Sequence, residues 1–278
     1  MKRGWMVGLG VALVLIAIGA YFFWPRSVPP QLPPPVPVAS PAPIAPVAPI
    51  APPEPAIRHP IQAPTGAVEL PPIGQADEFV RERITGFLGA KTVQTHVQVE
   101  NFARRVVATV DNLSRSLAPP RMWPIQRTPG RFAVEPSGNG SAIGPKNAAR
   151  YAAFVALVES VDTHRAVALY RQLYPLFQRA YEEIGYPGKP FNDRLVAVID
   201  LLLETPEPTG AVMVEQPQVH GPLKPTRPWL LYRYSDPELE RLSSGQKILL
   251  RVGPENARRL KAKLAEFRKL IAADTATR

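Results

Sequence analysis

The sequence predicts a mainly α-helical protein with one membrane helix, a disordered or polyproline linker, and a multi-helix globular domain with two or three minor β-strands. Three observations lead to this prediction. An uncharged run starts at Gly4, about half of the 35 prolines lie between Pro25 and Pro72, and apolar residues recur at three- and four-residue spacing after Gln75. The predicted boundaries are a tail at residues 1–3, a membrane helix at 4–24, a linker at 25–72 and a helical domain at 75–278.

The uncharged run at 4–24 has the length that a bilayer requires. As an α-helix it would rise roughly 31 Å, about the thickness of the hydrocarbon core. Its last residues, 21–24, are aromatic and stop at Pro25, as an interfacial belt would. The alternative is a cleaved secretory signal, with the basic residues 2–3 as its charged start and residues 18–20 as the cleavage site. The length of the run and its aromatic end favour an anchor, and both alternatives carry the rest of the chain out of the cytoplasm.

The segment 25–72 repeats proline with alanine, valine and isoleucine, most regularly at 41–52. Proline fixes φ, lacks an amide donor and keeps the preceding residue out of the helical region. We therefore expect extended polyproline II without a core. Its 48 residues would reach roughly 150 Å if fully extended, so we interpret the segment as a spacer between membrane and domain.

The first half of the domain is predicted to hold two helices and a long loop. Apolar periodicity places the helices at 77–88 and at 99–117. The stretch 121–146 has the composition of a loop, with one strand-like alternation at 131–135. The glycines within 138–144 predict a mobile loop.

The second half is predicted to be helical, with short strands near 212–214 and 229–234. Its helices are expected to begin at residues with capping side chains or at the Gly-Pro and Asp-Pro pairs. These starts are Asn147, Asp162, Asn192, Asp236 and Gly253. The helix after Asp162 carries an aromatic seam through Tyr170, Phe177 and Tyr181, which we interpret as core, with a kink expected at Pro175.

Positive charge is concentrated in the globular part. The formal net charge is +10, and the last helix has basic residues on its outer faces. We predict that they form a surface for an anionic partner: Arg258, Arg259, Lys261, Lys263, Arg268 and Lys269. The expected partners are the membrane, through the single anchor helix, and an envelope protein, an anionic lipid or a cell-wall polymer. Nucleic acid is not expected outside the cytoplasm, and the alternative is that the charge only keeps the domain soluble.

The sequence predicts no catalytic residue, no cofactor site and no metal site. It has no cysteine, and its four histidines lie far apart without metal-ligand spacing. Ser244 and Lys247 match the S-x-x-K of penicillin-recognising enzymes, but the K-T-G and S-x-N partners are missing, so we interpret Ser244 as a helix cap. The carboxylates that remain as candidates for acid–base work are Asp111, Asp193 and Asp200.

Three stretches resemble the proteobacterial family called domain of unknown function 3014. They are Val-Ala-Thr-Val-Asp-Asn-Leu at 107–113, Tyr-Pro-Leu-Phe-Gln-Arg-Ala-Tyr-Glu-Glu-Ile-Gly-Tyr-Pro at 174–187, and Tyr-Ser-Asp-Pro-Glu-Leu-Glu at 234–240, followed by Gly-Gln-Lys-Ile-Leu-Leu-Arg-Val-Gly-Pro-Glu-Asn at 245–256. The resemblance covers the chain from about Asp77 onward. It implies a single-pass membrane protein with a proline-rich spacer from a Gram-negative source, and hence a periplasmic main domain. The basic residues 2–3 before the membrane helix predict that the amino terminus is cytoplasmic, in the cell inner membrane. The resemblance implies no activity, substrate or catalytic residue.

Three functional hypotheses follow. The first is a periplasmic binding or scaffolding domain of the cell envelope, tethered to the inner membrane. The second is a cell-envelope enzyme whose site uses carboxylates such as Asp111, Asp193 and Asp200, and the third is a protein that transmits a signal or a force. A deep pocket lined by these carboxylates would favour the enzyme, whereas a basic or apolar face without them would favour the binding domain.

Overall fold

The structure is a computed structural model that describes residues 57–61, 69–217 and 231–272. Over these ranges the chain forms ten α-helices and one four-stranded sheet, which confirms the prediction of a mainly helical domain. The helices are α1 (Asp77–Leu88), α2 (Ala90–His96), α3 (Phe102–Leu113), α4 (Pro145–Ala149), α5 (Ala152–Ser160), α6 (Thr163–Glu183), α7 (Phe191–Leu203), α8 (Pro237–Arg241), α9 (Ser244–Arg251) and α10 (Pro254–Ile271).

The predicted membrane helix at 4–24 lies outside the described residues, as does most of the predicted linker. Within the described ranges, no helix is both long enough and apolar enough to cross a bilayer.

Helix α6 is the centre of the helical part. Asp162 caps it by accepting a hydrogen bond from the Arg165 backbone amide at 2.7 Å, as the sequence predicts. The helix runs without interruption through Pro175, and its aromatic side is buried among α1, α3, α7 and α10. Tyr170 and Phe177 stack with ring centroids 5.7 Å apart. The predicted aromatic seam is therefore core.

The helix predicted at 99–117 is α3, which is shorter than predicted at both ends, and the short helix α2 before it was not predicted. The chain leaves α2 at His96 and begins α3 only at Phe102, and Asn101 between them adopts a left-handed conformation with φ 52°. The Asp77 carboxylate accepts a hydrogen bond from the Asn101 backbone amide at 2.9 Å, which holds this turn. Asparagine is one of the few residues that tolerate this conformation, so α3 begins after this turn and Val99 lies outside the helix.

Two predicted caps are buried helix residues instead. Asn147 lies inside α4 and Asn192 inside α7, and neither is accessible to solvent. A buried asparagine side chain needs hydrogen-bond partners for both its NH₂ group and its oxygen. A cap position supplies a partner only for the oxygen. Helix α9 likewise is capped by Ser243 in a capping box with Gln246, whereas the predicted cap Ser244 is its first residue.

The sheet contains four antiparallel strands where the sequence predicted two or three. The strands are β1 (Val134–Ser137), β2 (Gly140–Ile143), β3 (Met213–Glu215) and β4 (Arg233–Tyr234), paired in that order. The stretch predicted as a mobile glycine loop is thus mostly β2, which pairs with β1 from Val134↔Ile143 to Ser137↔Gly140. The sheet buries Val214 and Tyr234 against Leu250 of α9, and this packing orders the hairpin.

Candidate functional site

The basic residues predicted to meet an anionic partner lie on α10, and five of the six contact carboxylates of the domain itself. The pairs are Arg258 with Glu207, Arg259 with Glu159, Lys261 with Glu207, Lys263 with Glu266, and Arg268 with Asp200. For Lys269, no carboxylate lies within ion-pair distance in the part of the chain that the structure describes. These contacts hold α10 to α5, to α7 and to the segment that follows α7.

Two of these pairs lower the pKa of their carboxylates. The hydrogen bond from the Arg259 guanidinium lowers the pKa of Glu159 from its ordinary value. The hydrogen bonds from the Thr163 hydroxyl and the Lys263 ammonium lower the pKa of Glu266 in the same way. Near neutral pH the outer side of α10 therefore carries both signs of charge, and its net positive charge is smaller than the sequence alone suggests.

A cleft of about 560 Å³ opens where α10 begins. Its walls come from α4, the start of α5, the end of α9, the start of α10, and the segment 205–212 that follows α7. The floor is mostly apolar, and the alanines among its side chains are small: the apolar residues include Ile143, Ala148, Ala149, Val212, Leu249 and Ala257. Four charged residues stand in its lining: Glu207, Glu255, Arg259 and Lys261. Two of the six predicted basic residues therefore face a concave, largely apolar site.

The start of α10 is fixed tightly against α4. Gly253 has φ 92°, and a Cβ at this position would lie 2.7 Å from the Ala148 Cβ, so only glycine fits. The Asn256 amide donates hydrogen bonds to the backbone oxygens of Ala148 at 3.0 Å and Val252 at 2.9 Å. These contacts require the residue types of the Gly-Pro-Glu-Asn string, and they give this wall of the cleft a single position.

The opposite wall is tied to the same helix. The Lys261 ammonium donates to the Thr205 backbone oxygen at 3.1 Å and to the Glu207 carboxylate at 3.0 Å. The Thr205 hydroxyl is already used, because it donates to the Leu202 backbone oxygen at 2.6 Å. The lining residues therefore include no hydroxyl paired with a base, and the cleft has the chemistry of a binding site for a partly apolar, charged molecule.

Asp111, the first of the three candidate carboxylates, is buried in an ion-pair cluster. Its oxygens accept hydrogen bonds from Arg115 Nη2 at 2.6 Å and Arg194 Nη2 at 2.8 Å. The Tyr186 hydroxyl donates to the Asp111 carboxylate at 3.4 Å and accepts from Arg115 at 2.9 Å. The cluster ties the end of α3 to α7 and to the turn after α6, which is the work of a structural ion pair.

The other two carboxylates have separate partners. Asp193 accepts hydrogen bonds from the backbone amides of Arg58 at 2.9 Å and His59 at 2.8 Å. Asp200 pairs with Arg268 of α10. None of the three shares a partner with another, and none lines the cleft described above or the apolar cavity described below. The structure does not bring them together as an acid–base site.

Ser244 and Lys247 do not form the pair of a penicillin-recognising enzyme. The Ser244 hydroxyl donates to the Asn112 backbone oxygen at 2.8 Å, at the end of α3. The Lys247 ammonium points elsewhere, to the Glu240 carboxylate at 2.9 Å. Both side chains therefore fasten α9 to its neighbours.

The comparisons with known proteins give one family. A family model described as a protein of unknown function (DUF3014) matches residues 102–268, a range that contains all three stretches on which the resemblance rests. No curated protein and no solved structure matches the chain.

Proposed function

Because the chain belongs to the DUF3014 family, whose description names no activity, we propose a function from the geometry of the domain. The protein is a binding domain of the cell envelope, held to the inner membrane by residues 4–24, and it binds an acidic segment of an envelope protein in the cleft at the start of α10. The observation that carries the proposal is the position of Arg259 and Lys261 in the lining of that largely apolar cleft.

The chemistry of the cleft supports a peptide segment as ligand. Its volume of about 560 Å³ lies within the range of roughly 300–1,000 Å³ that ligand pockets occupy. Small apolar side chains on the floor allow a backbone to approach closely. Glu207 and Glu255 equal the two basic residues in number, so the lining itself complements a ligand that carries both signs of charge. The preference for an acidic segment comes from the net charge of +10.

The location rests on the sequence. The uncharged run at 4–24, the proline-rich segment at 25–72 and the resemblance to single-pass envelope proteins support an anchored domain on the periplasmic side. A reporter that is active only in the periplasm, fused after Arg278, is expected to be active. Activity of a cytoplasmic reporter at the same place would show that the domain is cytoplasmic, and it would refute an envelope role.

Crosslinking in intact cells tests the partner. A photoreactive residue at Ala149, which is exposed in the lining of the cleft, is expected to capture a protein. The same residue at Ala153, exposed on α5 but outside the lining, is the matched control. Adducts at both positions, or only lipid or cell-wall material at Ala149, would contradict the proposal.

The charge contribution is tested with variants on α10. Arg259→Gln and Lys261→Gln are expected to weaken capture at Ala149, and added salt is expected to do the same. Lys269→Gln removes an equal charge from the same helix outside the cleft and is expected to leave capture unchanged. An equal loss for all three variants would mean that the whole basic face binds the partner. The melting temperature of each variant controls for lost ion pairs.

A second candidate function is transmission of force or signal, and one observation favours it. Residues 57–61 of the predicted linker are bound into the fold, with two backbone amides held by Asp193 and the His59 oxygen held by Asn192. Asn192 also bonds the Ile271 oxygen at the end of α10. A pull on the linker would therefore act on the start of α7 and the end of α10. Variants of Asn192 and Asp193 test this attachment.

A further inference from the structure

A second cavity, of about 370 Å³, lies between α1, α3, α6, α7 and α10. It shares no lining residue with the cleft at the start of α10. Every residue that lines it is apolar or aromatic, and the lining includes Phe87, Phe102, Leu169, Phe177, Leu195 and Phe267. A cavity of this composition gives water no partners, so it is a site for an apolar molecule.

The cavity reaches the surface of the domain. Phe177 is buried, but Phe87, Phe102, Leu169 and Phe267 are only partly buried, although their size and composition would favour full burial. An occupant would cover these side chains and remove apolar surface from water. The cavity is therefore accessible from outside without unfolding of the core.

Its volume limits the size of the occupant. A cavity of about 150 Å³ lined by similar side chains holds benzene. By proportion, 370 Å³ holds roughly 15 carbon atoms. This is too small for a two-chain lipid and suits one linear hydrocarbon chain.

Cations stand at the α1 edge of the cavity. The Arg165 guanidinium lies 5.6 Å from the ring centroid of Phe87, which lines the cavity. The Arg83 guanidinium lies 4.8 Å from the ring centroid of Phe79, which is one turn before Arg83 and two turns before Phe87 on α1. The buried Nε of Arg83 has no hydrogen-bond partner among the described residues. Neither arginine has a carboxylate within ion-pair distance among the described residues; Asp162 is bonded to the backbone of Arg165. The charge at this edge complements an anionic head group.

We propose that this cavity binds a single acyl chain of roughly 12–15 carbons, with its anionic head group at Arg165. The chain lies among the aromatic residues of α1, α3 and α6, and the carboxylate or phosphate stays at the surface beside the guanidinium. This site is separate from the cleft, and the proposal does not depend on the cleft's ligand.

Photolabelling of the full chain in lipid nanodiscs tests the site. The probe is a C14 carboxylate with a diazirine at its chain end, and mass spectrometry maps the labelled peptides. Labelling is expected within 84–88 and 166–173, because both ranges contain residues that line the cavity. A phospholipid that carries the same diazirine chain distinguishes a free fatty carboxylate from a chain presented by a lipid. Absence of label in these peptides with both probes would overturn the proposal and leave a packing void.

Two kinds of variant make the test specific. Ala166→Phe and Leu169→Trp fill the cavity and are expected to reduce labelling at least tenfold without lowering the melting temperature. Ala149→Phe adds the same ring in the other cleft and is expected to leave labelling unchanged. Arg165→Glu is expected to weaken labelling by the carboxylate several-fold but not by the matching C14 alcohol. If Ala166→Phe and Leu169→Trp both fold and are labelled as the wild type is, the acyl chain does not bind in the cavity. If Arg165→Glu weakens labelling by the carboxylate and the alcohol equally, Arg165 does not bind the head group.

Discussion

Asn192 is the residue whose replacement tests the packing of the domain most directly. Its side chain is inaccessible to solvent and joins three parts of the chain. Its amide donates to the backbone oxygens of His59 at 2.8 Å and Ile271 at 3.0 Å, and its oxygen accepts from the Tyr170 hydroxyl at 3.0 Å. Asn192→Ala removes all three hydrogen bonds at once and gives no replacement.

The magnitude follows from the burial of the partners. The bonds to Tyr170 and Ile271 are buried, and each group left unsatisfied costs about 1–3 kcal/mol. The bond to His59 is only partly buried, so its loss costs about 0.5–1.5 kcal/mol. The midpoints of these ranges sum to about 5 kcal/mol, a large share of the roughly 5–15 kcal/mol that stabilises a domain. At roughly 2–4 °C per kcal/mol for a domain of this size, the melting temperature should fall by about 10–20 °C.

The assay is urea unfolding followed by circular dichroism, with Asn112→Ala as the matched control. Among the described residues, the Asn112 side chain bonds only to the Ala108 oxygen of its own helix, so loss of this bond should cost below about 1 kcal/mol. Equal losses for the two variants would refute the reasoning, because they would mean that the Asn192 amide does not connect the three segments.

Three further predictions concern other contacts. Asp193→Ala should speed hydrogen exchange of the Arg58 and His59 amides roughly 10- to 150-fold, since a bond to a charged acceptor contributes about 1.5–3 kcal/mol; unchanged exchange would show that the linker is not attached there. Phe177→Ala should lower the free energy of unfolding by about 3–5 kcal/mol, because Phe177 is buried between Tyr170 and Phe191; an unchanged urea midpoint would show that the seam is not core. The Arg104 hydrogen bond lowers the pKa of Glu183, so this pair stabilises the fold above the ordinary glutamate pKa of about 4.3 and loses its effect as the pH falls through the lower folded-state value. Arg104→Met should therefore narrow the difference between the melting temperatures at pH 6 and pH 3. An unchanged difference would show that the ion pair of Arg104 and Glu183 does not stabilise the fold.

Elements whose signals lie within a few residues were predictable from the sequence. The Asp162 cap, the Asp236-Pro237 start of α8 and the Gly253-Pro254 start of α10 all fall where predicted. Each depends on backbone conformations and hydrogen bonds that the local residues themselves determine. The hairpin of β1 and β2 was missed because glycines predict loops locally, whereas pairing with β3, about 70 residues later, makes this stretch a strand.

The candidate site was predictable only in part, for the same reason. The periodicity of α10 placed Arg259 and Lys261 on outer faces of the helix, but their partners Glu159 and Glu207 are distant in sequence. The cleft is assembled from small residues of several elements, and alanine, proline and glycine carry no pattern that identifies a pocket. Asn192 likewise reads as a cap, since burial of a polar side chain by three distant segments leaves no local signal.

The charges that would attract a partner from a distance and those that would contact it in the cleft lie on different parts of the chain. Five of the six basic residues of α10 pair with four carboxylates, three of which lie outside this helix, so the surface around α10 is less positive than the sequence of the helix suggests. The segment 113–158, by contrast, contains six basic residues and only one acid, Glu135. Long-range attraction changes mainly the rate of association and weakens with salt, whereas contacts inside a desolvated site change mainly the rate of dissociation. An acidic partner would therefore be drawn mainly by the 113–158 segment, while Arg259 and Lys261 determine how long it remains in the cleft.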